Sequence, residues 1–405
     1  MTKKSFLFTA ILILLNLVVL EGLAGLGLLY LHHRKNIEYR PAMKDRLSDG
    51  QRAMIRKILD GKAEYISHSP ELGWSILPNG EHDIYRANAQ GLRADSDYTL
   101  TPGSKLRIAA FGDSFVHCDE VSNDQTWTKH LTRLDPGLET LNFGVGGYGL
   151  DQAYLRYLHD GRRFRPDIVL IGFMTENPTR NMSIFRPFYL PHSMMPLSKP
   201  RFRLDGEKLT LIANPLDELA DYERLLRDEK NVRQELSHLD FFYFYRYSED
   251  PLDFFLTARL FKVLKKIYLK PRDKIFNGYE YNPRSEVFRV SMAIVEEFAA
   301  EVRKEGAIPI VVFLPNSGDF WRLKDHNVKN YRPFMEIMDE KGISYFDFTA
   351  ELLDEILKDE DPATFYSPQY HFSGKGNEYV ARHIYRRLKE GGFLDEARHR
   401  RPGGH

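Results

Sequence analysis

The sequence predicts an α/β fold built on a five-stranded parallel sheet. Five apolar segments alternate with helical segments between residues 105 and 395, a pattern typical of parallel strands joined by right-handed crossovers. The segment 167–173 is almost continuously apolar, as expected for a strand that is covered on both faces. With 405 residues, of which 42% are hydrophobic, the chain is long enough to bury a full core.

The periodicity places these elements in order along the chain. Strands are predicted at 106–111, 139–142, 167–173, 308–314 and 343–348. Helices with an apolar face are predicted near 124–134, 150–162, 285–304, 332–341 and 374–388. The alternation stops over residues 179–282, which are rich in proline, aromatic and charged residues. This stretch is too long for an ordinary crossover and predicts an inserted lid or substrate subdomain.

Outside residues 105–395 the composition changes. Residues 1–35 are predicted to form a membrane anchor, and residues 36–104 a charged helical stalk followed by turn-rich flanking strands and loops. Residues 396–405 are predicted to be a flexible tail.

The anchor is predicted from residues 6–30, which are almost wholly apolar and lie between two lysines and the basic residues 32–35. A helix of this length crosses a hydrocarbon layer of roughly 30 Å. The alternative is a cleaved signal peptide with residues 22–24 before the cut. We favour an uncleaved anchor because the apolar stretch continues through Leu31. The flanking charges do not decide the orientation, and we expect a single-pass protein whose main domain lies on the extracytoplasmic side.

Charge and cysteine content exclude some function classes. Lys plus Arg equals Asp plus Glu at 57 each, which argues against a nucleic-acid partner because such binding depends on a net positive field. Cys118 is the single cysteine, so an intrachain disulfide and a cysteine-based metal cage are excluded. No His, Asp or Glu cluster has metal-ligand spacing, and we expect neither a metal nor another cofactor.

Two distant segments carry candidate chemistry. Ser114 follows Gly112 and Asp113 at the end of the first predicted strand, where a helix begins, and His371 lies just before the last predicted helix. A serine hydroxyl becomes a good nucleophile only when a base removes its proton, and open α/β sheets bind ligands at such strand ends. We therefore predict Ser114 as nucleophile and His371 as its base. His117 is expected to have a surface or packing role.

An acyl-transfer site also needs donors for the oxyanion. The glycine-rich segment 142–149 follows the second predicted strand, and Asn177 lies just after the third. Glycines let a backbone N–H approach a ligand closely, and a side-chain amide supplies a further donor. The alternatives for the glycine segment are a plain turn or a phosphate-binding loop, but it matches neither dinucleotide-binding nor P-loop spacing.

These residues resemble the SGNH, or GDSL, hydrolases, in the form of a membrane-anchored bacterial-type member. The resemblance implies that Ser114 is the nucleophile, that Ser114, Gly147 and Asn177 form the oxyanion hole, and that His371 is the general base. It also implies a flavodoxin-like three-layer αβα sandwich and acyl esters as substrates.

One position departs from the family pattern. The family usually has an aspartate three residues before the histidine, and Pro368 stands there. The site is then either a Ser–His dyad, or backbone carbonyls or another acid orient the imidazole. Asp347, at the end of the fifth predicted strand, and Asp361, in the following loop, are the candidate third members.

The sequence leaves three functions open. The first is a serine hydrolase that cleaves acyl esters of a small molecule, glycan or lipid through an acyl-enzyme on Ser114. The second is a polysaccharide O-acyltransferase that uses the same Ser–His site. The third is a non-catalytic envelope assembly or carbohydrate-binding protein that has kept the fold, since fold alone does not settle activity.

Overall fold

The computed structural model describes residues 3–35, 37–39, 46–245, 250–269, 275–358 and 362–401. The central element is one parallel sheet. In chain order the strands are β1 (Leu106–Phe111), β2 (Leu138–Asn142), β3 (Ile168–Met174), β4 (Ile308–Leu314) and β5 (Tyr345–Phe346). Their order in the sheet is β2–β1–β3–β4–β5, the flavodoxin-like order of a doubly wound sheet, so the predicted fold class is confirmed.

The edge strand β5 is shorter than the prediction for 343–348. It pairs only with β4, where Val311 lies opposite Tyr345. Ile343 and Phe348 are nevertheless buried. The apolar pattern at both ends of this segment therefore reflects burial in the core rather than strand pairing.

Helices cover both faces of the sheet. Ala109 and Phe111 of β1 belong to one apolar cluster, whereas Ile108 and Ala110 belong to the other, because successive strand residues point to opposite faces. This arrangement gives three layers. The first face is covered by Leu150–Arg156, Glu286–Lys304 and Arg332–Glu340, and the second by Trp127–Leu134, Thr349–Lys358, Gly374–Glu390 and Phe393–Arg400.

Smaller elements surround this sandwich. The two-stranded antiparallel pairs are Ile66–Ser69 with Gly73–Ile76, Glu81–His82 with Tyr85–Arg86, Arg201–Asp205 with Lys208–Ile212, and Phe276–Asn277 with Glu280–Tyr281. The further α-helices are Lys3–Lys35, Asp49–Leu59, Ser114–His117, Asn177–Arg180, Arg186–Tyr189, Leu219–Arg227, Glu229–Ser237, Phe241–Tyr245, Leu256–Leu264 and Ser317–His326.

The first helix, Lys3–Lys35, is long and apolar enough to cross a membrane by length and composition, with a mean hydropathy of 2.4 over its most apolar 18-residue window. It continues through the basic residues 32–35 and so ends where the sequence predicts the end of the anchor segment. The next helix, Asp49–Leu59, begins with a capping box between Ser48 and Gln51. It packs its buried residues Ile55 and Ile58 on the main core, so this part of the stalk region belongs to the domain.

The C-terminal tail is anchored as far as Arg401. Its guanidinium pairs with Asp167, and it also donates to the backbone carbonyls of Gly103 and Ser104. The helix Phe393–Arg400 covers residues 396–400 of the segment for which the sequence predicts a flexible tail, and residues 402–405 lie outside the described residues.

Candidate active site

The nucleophile candidate lies at a sharp turn after β1. Gly112 and Asp113 connect β1 to the short helix Ser114–His117, and the Asp113 carboxylate accepts the N–H of Phe115 at 2.9 Å. A Cβ on Gly112 would lie 2.5 Å from the Val116 side chain, so only glycine fits there. The turn places Ser114 at the carboxyl end of the sheet between β1 and β3, where the strand order reverses and where such folds bind ligands.

Ser114 and His371 line the same pocket. The pocket has a volume of about 470 Å³, and Gly147 forms part of its wall. Ser114 is only 5% exposed. Its hydroxyl makes no hydrogen bond to any residue that the structure describes, so the oxygen is available to a ligand. The structure thus brings together the two residues that the sequence predicts as nucleophile and base.

A carboxylate that the sequence analysis did not single out orients the histidine. Glu120 Oε2 lies 3.1 Å from Nδ1 of His371 and accepts the backbone N–H of His371 at 3.2 Å. The other carboxylate oxygen accepts the N–H of Gln369 at 2.9 Å. Nε2 of His371 has no partner among the described residues. With a proton on Nδ1 directed at Glu120, Nε2 is the free basic nitrogen.

The backbone near Glu120 adopts an uncommon conformation. Cys118 and Glu120 have φ values of 64° and 72°, in the left-handed region that residues with a side chain rarely occupy. Such backbone persists where the surroundings hold it and is frequent at functional sites. Here it returns the chain after the Ser114 helix so that the carboxylate reaches the histidine loop.

Neither predicted third member contacts the histidine within the described structure. The Asp347 carboxylate accepts from Lys329 at 2.5 Å, from the Tyr331 hydroxyl at 2.9 Å and from Thr349. These contacts hold it beyond the edge strand β5. Asp361 lies outside the described residues. Among the described residues, Glu120 is the carboxylate that is hydrogen-bonded to Nδ1 of His371. The sequence feature that points to Glu120 is its position shortly after the nucleophile candidate, at the same edge of the sheet.

Two residues that line the pocket, Ser114 and Gly147, are candidate backbone donors. Gly147 has φ of 82°, which favours glycine, and its carbonyl accepts Nη1 of Arg186 at 2.6 Å. The N–H groups of Gly147 and Ser114 make no hydrogen bond to any described residue. Backbone N–H groups of this kind can stabilise an oxyanion.

Asn177 is placed differently from the expectation. Its amide nitrogen donates to Asp113 Oδ2 at 3.0 Å and to the Tyr148 carbonyl at 3.3 Å, and its amide oxygen accepts the N–H of Met174 at 2.7 Å. It is 1% exposed and does not line the pocket. In this arrangement Asn177 holds Asp113 beneath the nucleophile.

Arg180 lines the pocket one helical turn after Asn177. Its guanidinium lies 3.1 Å from Asp113 Oδ2 and 2.9 Å from Glu176 Oε2. Burial raises the pKa of Asp113, and Arg180 opposes that shift, as do the donors from Phe115 and Asn177. A buried carboxylate is tolerated when it is paired and hydrogen-bonded, and Asp113 meets both conditions.

A second guanidinium in the pocket wall has no acidic partner. Arg186 donates to Ser193 Oγ at 2.8 Å and to the Gly147 carbonyl, and it makes no ion pair with a described residue. Burial and the neighbouring Arg180 lower the pKa of Arg186 to about 10, so it is cationic at neutral pH. The wall beside Gly147 therefore carries a positive charge with remaining hydrogen-bonding capacity.

His117 is a buried residue of the pocket wall. Nε2 lies 2.7 Å from the Tyr65 hydroxyl, and Nδ1 lies 3.0 Å from the Arg93 guanidinium and beside the Asp119 carboxylate. Burial, together with the Arg93 charge, lowers the pKa of His117 to about 4. At neutral pH the ring is a neutral structural element.

Within the described residues, no group of three or more His, Cys, Asp or Glu side chains is arranged to hold a metal ion.

Comparison with known proteins gives likenesses of fold. No family model and no curated protein sequence matches the chain. Similar solved structures include a lipolytic protein of the G-D-S-L family from Desulfitobacterium hafniense DCB-2, with 14% identity, a TM-score of 0.35, and coverage of 70% of this chain and 99% of that one. A catalytic variant of an acetylxylan esterase from Geobacillus stearothermophilus has 15% identity, a TM-score of 0.38, and coverage of 72% and 96%.

A lipase/acylhydrolase from Enterococcus faecalis has 13% identity, a TM-score of 0.33, and coverage of 71% of this chain and 96% of that one. At such identities and TM-scores these likenesses concern the fold alone.

Proposed function

We propose that this protein is a serine esterase that forms an acyl-enzyme on Ser114. The observation that carries the proposal is that Ser114 and His371 line one pocket and that Nδ1 of His371 faces Glu120, while the Ser114 hydroxyl and Nε2 of His371 have no partner among the described residues. Nucleophile, base and orienting acid are the three parts of a Ser–His–acid site.

The chemical steps follow from these roles. Ser114 Oγ attacks the ester carbonyl carbon while Nε2 of His371 takes the hydroxyl proton, and the carbonyl electrons move to the oxygen. The tetrahedral intermediate then breaks its bond to the alcohol, which leaves with the proton from His371. Water repeats the sequence on the acyl-enzyme, releasing the carboxylic acid and restoring Ser114. Glu120 stabilises the imidazolium that forms in each half-reaction.

We assign the oxyanion to the backbone N–H groups of Ser114 and Gly147. Both are without a partner among the described residues, and each such donor contributes about 10²–10³ in rate. For Asn177 we propose a positioning role through Asp113, because its amide is already bonded to Asp113 and Tyr148. It becomes a direct donor only if those bonds exchange for the oxyanion.

The pocket suits an acyl ester of a glycan or lipid. Its wall combines the apolar side chains of Met54, Met195 and Tyr85 with the cationic Arg186. The apolar part fits an acyl group, and the polar part fits the alcohol portion of the ester. With the apolar helix Lys3–Lys35 as anchor, we place this pocket in a membrane-attached domain on the extracytoplasmic side.

A second candidate is acyl transfer to a sugar hydroxyl. Part of the pocket wall comes from outside the sandwich, namely Lys57 of the helix Asp49–Leu59 and Ser193 and Met194 of the inserted region. Such added walls can hold an acceptor and exclude water, which favours transfer over hydrolysis. Addition of oligosaccharide acceptors, with mass spectrometry of the products, distinguishes the two reactions.

The test of the enzyme proposal uses the full chain in detergent micelles with 4-nitrophenyl acetate. We expect turnover that Ser114→Ala lowers by about 10⁴-fold or more, together with fluorophosphonate labelling at Ser114. Ser96→Ala is the matched control, since Ser96 is exposed and does not line this pocket. Unchanged turnover in Ser114→Ala would refute the proposal. Absence of both turnover and labelling would favour the non-catalytic alternative.

A further inference from the structure

The apolar helix Lys3–Lys35 contains one acidic residue, Glu21, and the structure gives that residue a partner. Its carboxylate accepts the N–H of Leu256 at 2.5 Å and the N–H of Thr257 at 3.2 Å, and it also accepts the Thr257 hydroxyl. These groups lie at the start of the helix Leu256–Leu264. The first N–H groups of a helix lack partners within it, and a carboxylate there is stabilised by the helix dipole. Glu21 therefore caps another helix.

The two helices pack closely along their length. Cβ atoms added at Gly25 and Gly27 would lie 3.1 Å from Leu256 and 3.2 Å from Leu260. Further along, Leu31 and Val263 form a small apolar cluster. The contacts advance in the same direction on both helices, so they run parallel. Small residues at such a contact let two helices approach closely.

The outer face of the second helix is apolar and uncovered. Phe261 and Leu264 are exposed and lie three residues apart, which places them on one face of this helix. Tyr268, in the π-helical segment Lys265–Leu269 that follows, is exposed as well. Immediately before the helix, Phe254 is 83% exposed, and Leu252 is exposed as well. Soluble proteins rarely leave so large an apolar patch in contact with water.

This patch continues the bare surface of the first helix. Residues 3–20 are exposed throughout, whereas Ala24 and Leu31 are buried. The helix thus leaves protein contact on the side of Glu21 that is nearest Leu252 and Phe254. Because this patch is continuous with the surface of a helix long enough to cross a membrane, we expect lipid to contact both surfaces.

We propose that residues 250–269 form a second membrane-contacting element, which lies against the lipid bilayer beside the anchor helix. The proposal rests on the membrane-anchor part of the proposed function and is independent of the esterase chemistry. The polar groups of this element are accommodated, since Lys262 pairs with Asp250 and Asp253 at 2.6 and 2.5 Å. The exposed Lys265 can extend its ammonium group to the headgroups.

This arrangement also requires that the first helix stays attached. A cut after residue 24 would remove Glu21 and leave the N–H groups of Leu256 and Thr257 without their acceptor. Buried or lipid-facing N–H groups without partners are costly. The contact therefore supports an uncleaved anchor over a signal peptide.

The test measures where these side chains lie in reconstituted vesicles. The full chain is placed in phosphatidylcholine vesicles with Phe254→Cys or Phe261→Cys, and each cysteine carries an environment-sensitive fluorophore. Leu211→Cys is the matched control, because Leu211 is 46% exposed on a hairpin of the domain. Native Cys118 is 2% exposed, and burial raises the pKa of its thiol to about 12, so it does not take up label.

We expect nitroxide lipids to quench the labels at 254 and 261 at least threefold more than the label at 211, and aqueous iodide to do the reverse. Equal quenching of all three labels by iodide would overturn the proposal. Protection from iodide without lipid quenching would also overturn it, in favour of a second copy covering the patch. In Glu21→Ala we expect lipid quenching at 254 to fall at least twofold, with partial retention in Glu21→Gln. Circular dichroism tests whether each variant folds. Turnover of 4-nitrophenyl acetate, measured separately, tests the esterase proposal.

Discussion

Glu120 lies 3.1 Å from Nδ1 of His371 and also accepts the backbone N–H of that residue. The carboxylate therefore fixes both the ring and the loop that carries it. In the proposed site the acid comes from the chain just after Ser114, and Pro368 occupies the position before His371 where the family pattern has an acid.

Replacing Glu120 with Gln should lower kcat for 4-nitrophenyl acetate by about 10²–10⁴-fold, since an amide neither selects the Nδ1-protonated tautomer nor stabilises the imidazolium. Glu120→Asp should retain part of the activity. Asp347→Asn is the comparison variant and should leave kcat unchanged because Asp347 bonds to Lys329 and Tyr331. A fall in kcat for Asp347→Asn with unchanged kcat for Glu120→Gln would show that Glu120 is not part of the site.

Removing Arg180 should destabilise the fold as well as the pocket. Arg180→Met leaves the buried Asp113 carboxylate without its ion pair, and breaking such a pair costs about 3–5 kcal/mol. The free energy of unfolding in urea measures this loss. The control is Arg224→Met, which removes an exposed pair with Glu235 and should cost less than about 1 kcal/mol. Equal effects of the two variants would contradict the buried pairing.

Asn177→Ala should lower the free energy of unfolding by about 1–3 kcal/mol, because it leaves the Met174 N–H and the Asp113 carboxylate short of partners in a buried site. Urea unfolding and esterase kinetics are measured on the same preparation. A fall in kcat of about 10²–10³-fold with unchanged stability would instead identify Asn177 as a direct oxyanion donor.

Arg186 should favour esters that carry an anion. In Arg186→Met we expect kcat/KM for 4-acetoxy-3-nitrobenzoate to fall about tenfold relative to 4-nitrophenyl acetate, which corresponds to about 1.4 kcal/mol for one charged hydrogen bond. Arg203→Met is the control, since Arg203 is exposed and does not line the pocket. An equal fall in kcat/KM for both substrates would show that Arg186 does not discriminate between anionic and neutral esters.

Stability should depend on pH through His117. Burial and Arg93 lower the pKa of His117 to about 4 in the folded protein, against about 6.5 in an unfolded chain. As the pH falls, the unfolded chain binds the proton first, so this stabilisation is complete above about pH 6.5 and is lost progressively down to about pH 4. Between pH 7.5 and 5 we expect a loss of about 2 kcal/mol. In His117→Gln, this part of the pH dependence of the free energy of unfolding should be absent. An unchanged pH dependence in that variant would contradict the assignment.

The sheet, and the presence of Ser114 and His371 in one pocket, were predictable from the sequence. Alternating apolar segments give the strands, and parallel strands bring their carboxyl ends to one edge, which places a serine after β1 in one pocket with a histidine before the helix Gly374–Glu390. Glu120 was not predictable in the same way, because its contact with His371 depends on left-handed backbone at Cys118 and Glu120. The sequence pattern does not encode that conformation at residues with side chains.

For Asn177, the sequence predicts the position of the residue but not the orientation of its side chain. Its position after β3 follows from the sequence, whereas the direction of its amide depends on which neighbouring acceptors it bonds to. The buried Asp113 carboxylate and the Tyr148 carbonyl both accept from it, and these partners come together only in the folded chain. In the same way, Glu21 stands out in the sequence as an isolated charge, and its role as a helix cap depends on a segment far along the chain.

Glu120 lies just after the short helix that Ser114 begins, whereas the imidazole belongs to a separate loop. In the proposed mechanism, an outward displacement of that loop would separate the imidazole from both Glu120 and Ser114. Wider access to the serine would then coincide with loss of its activation.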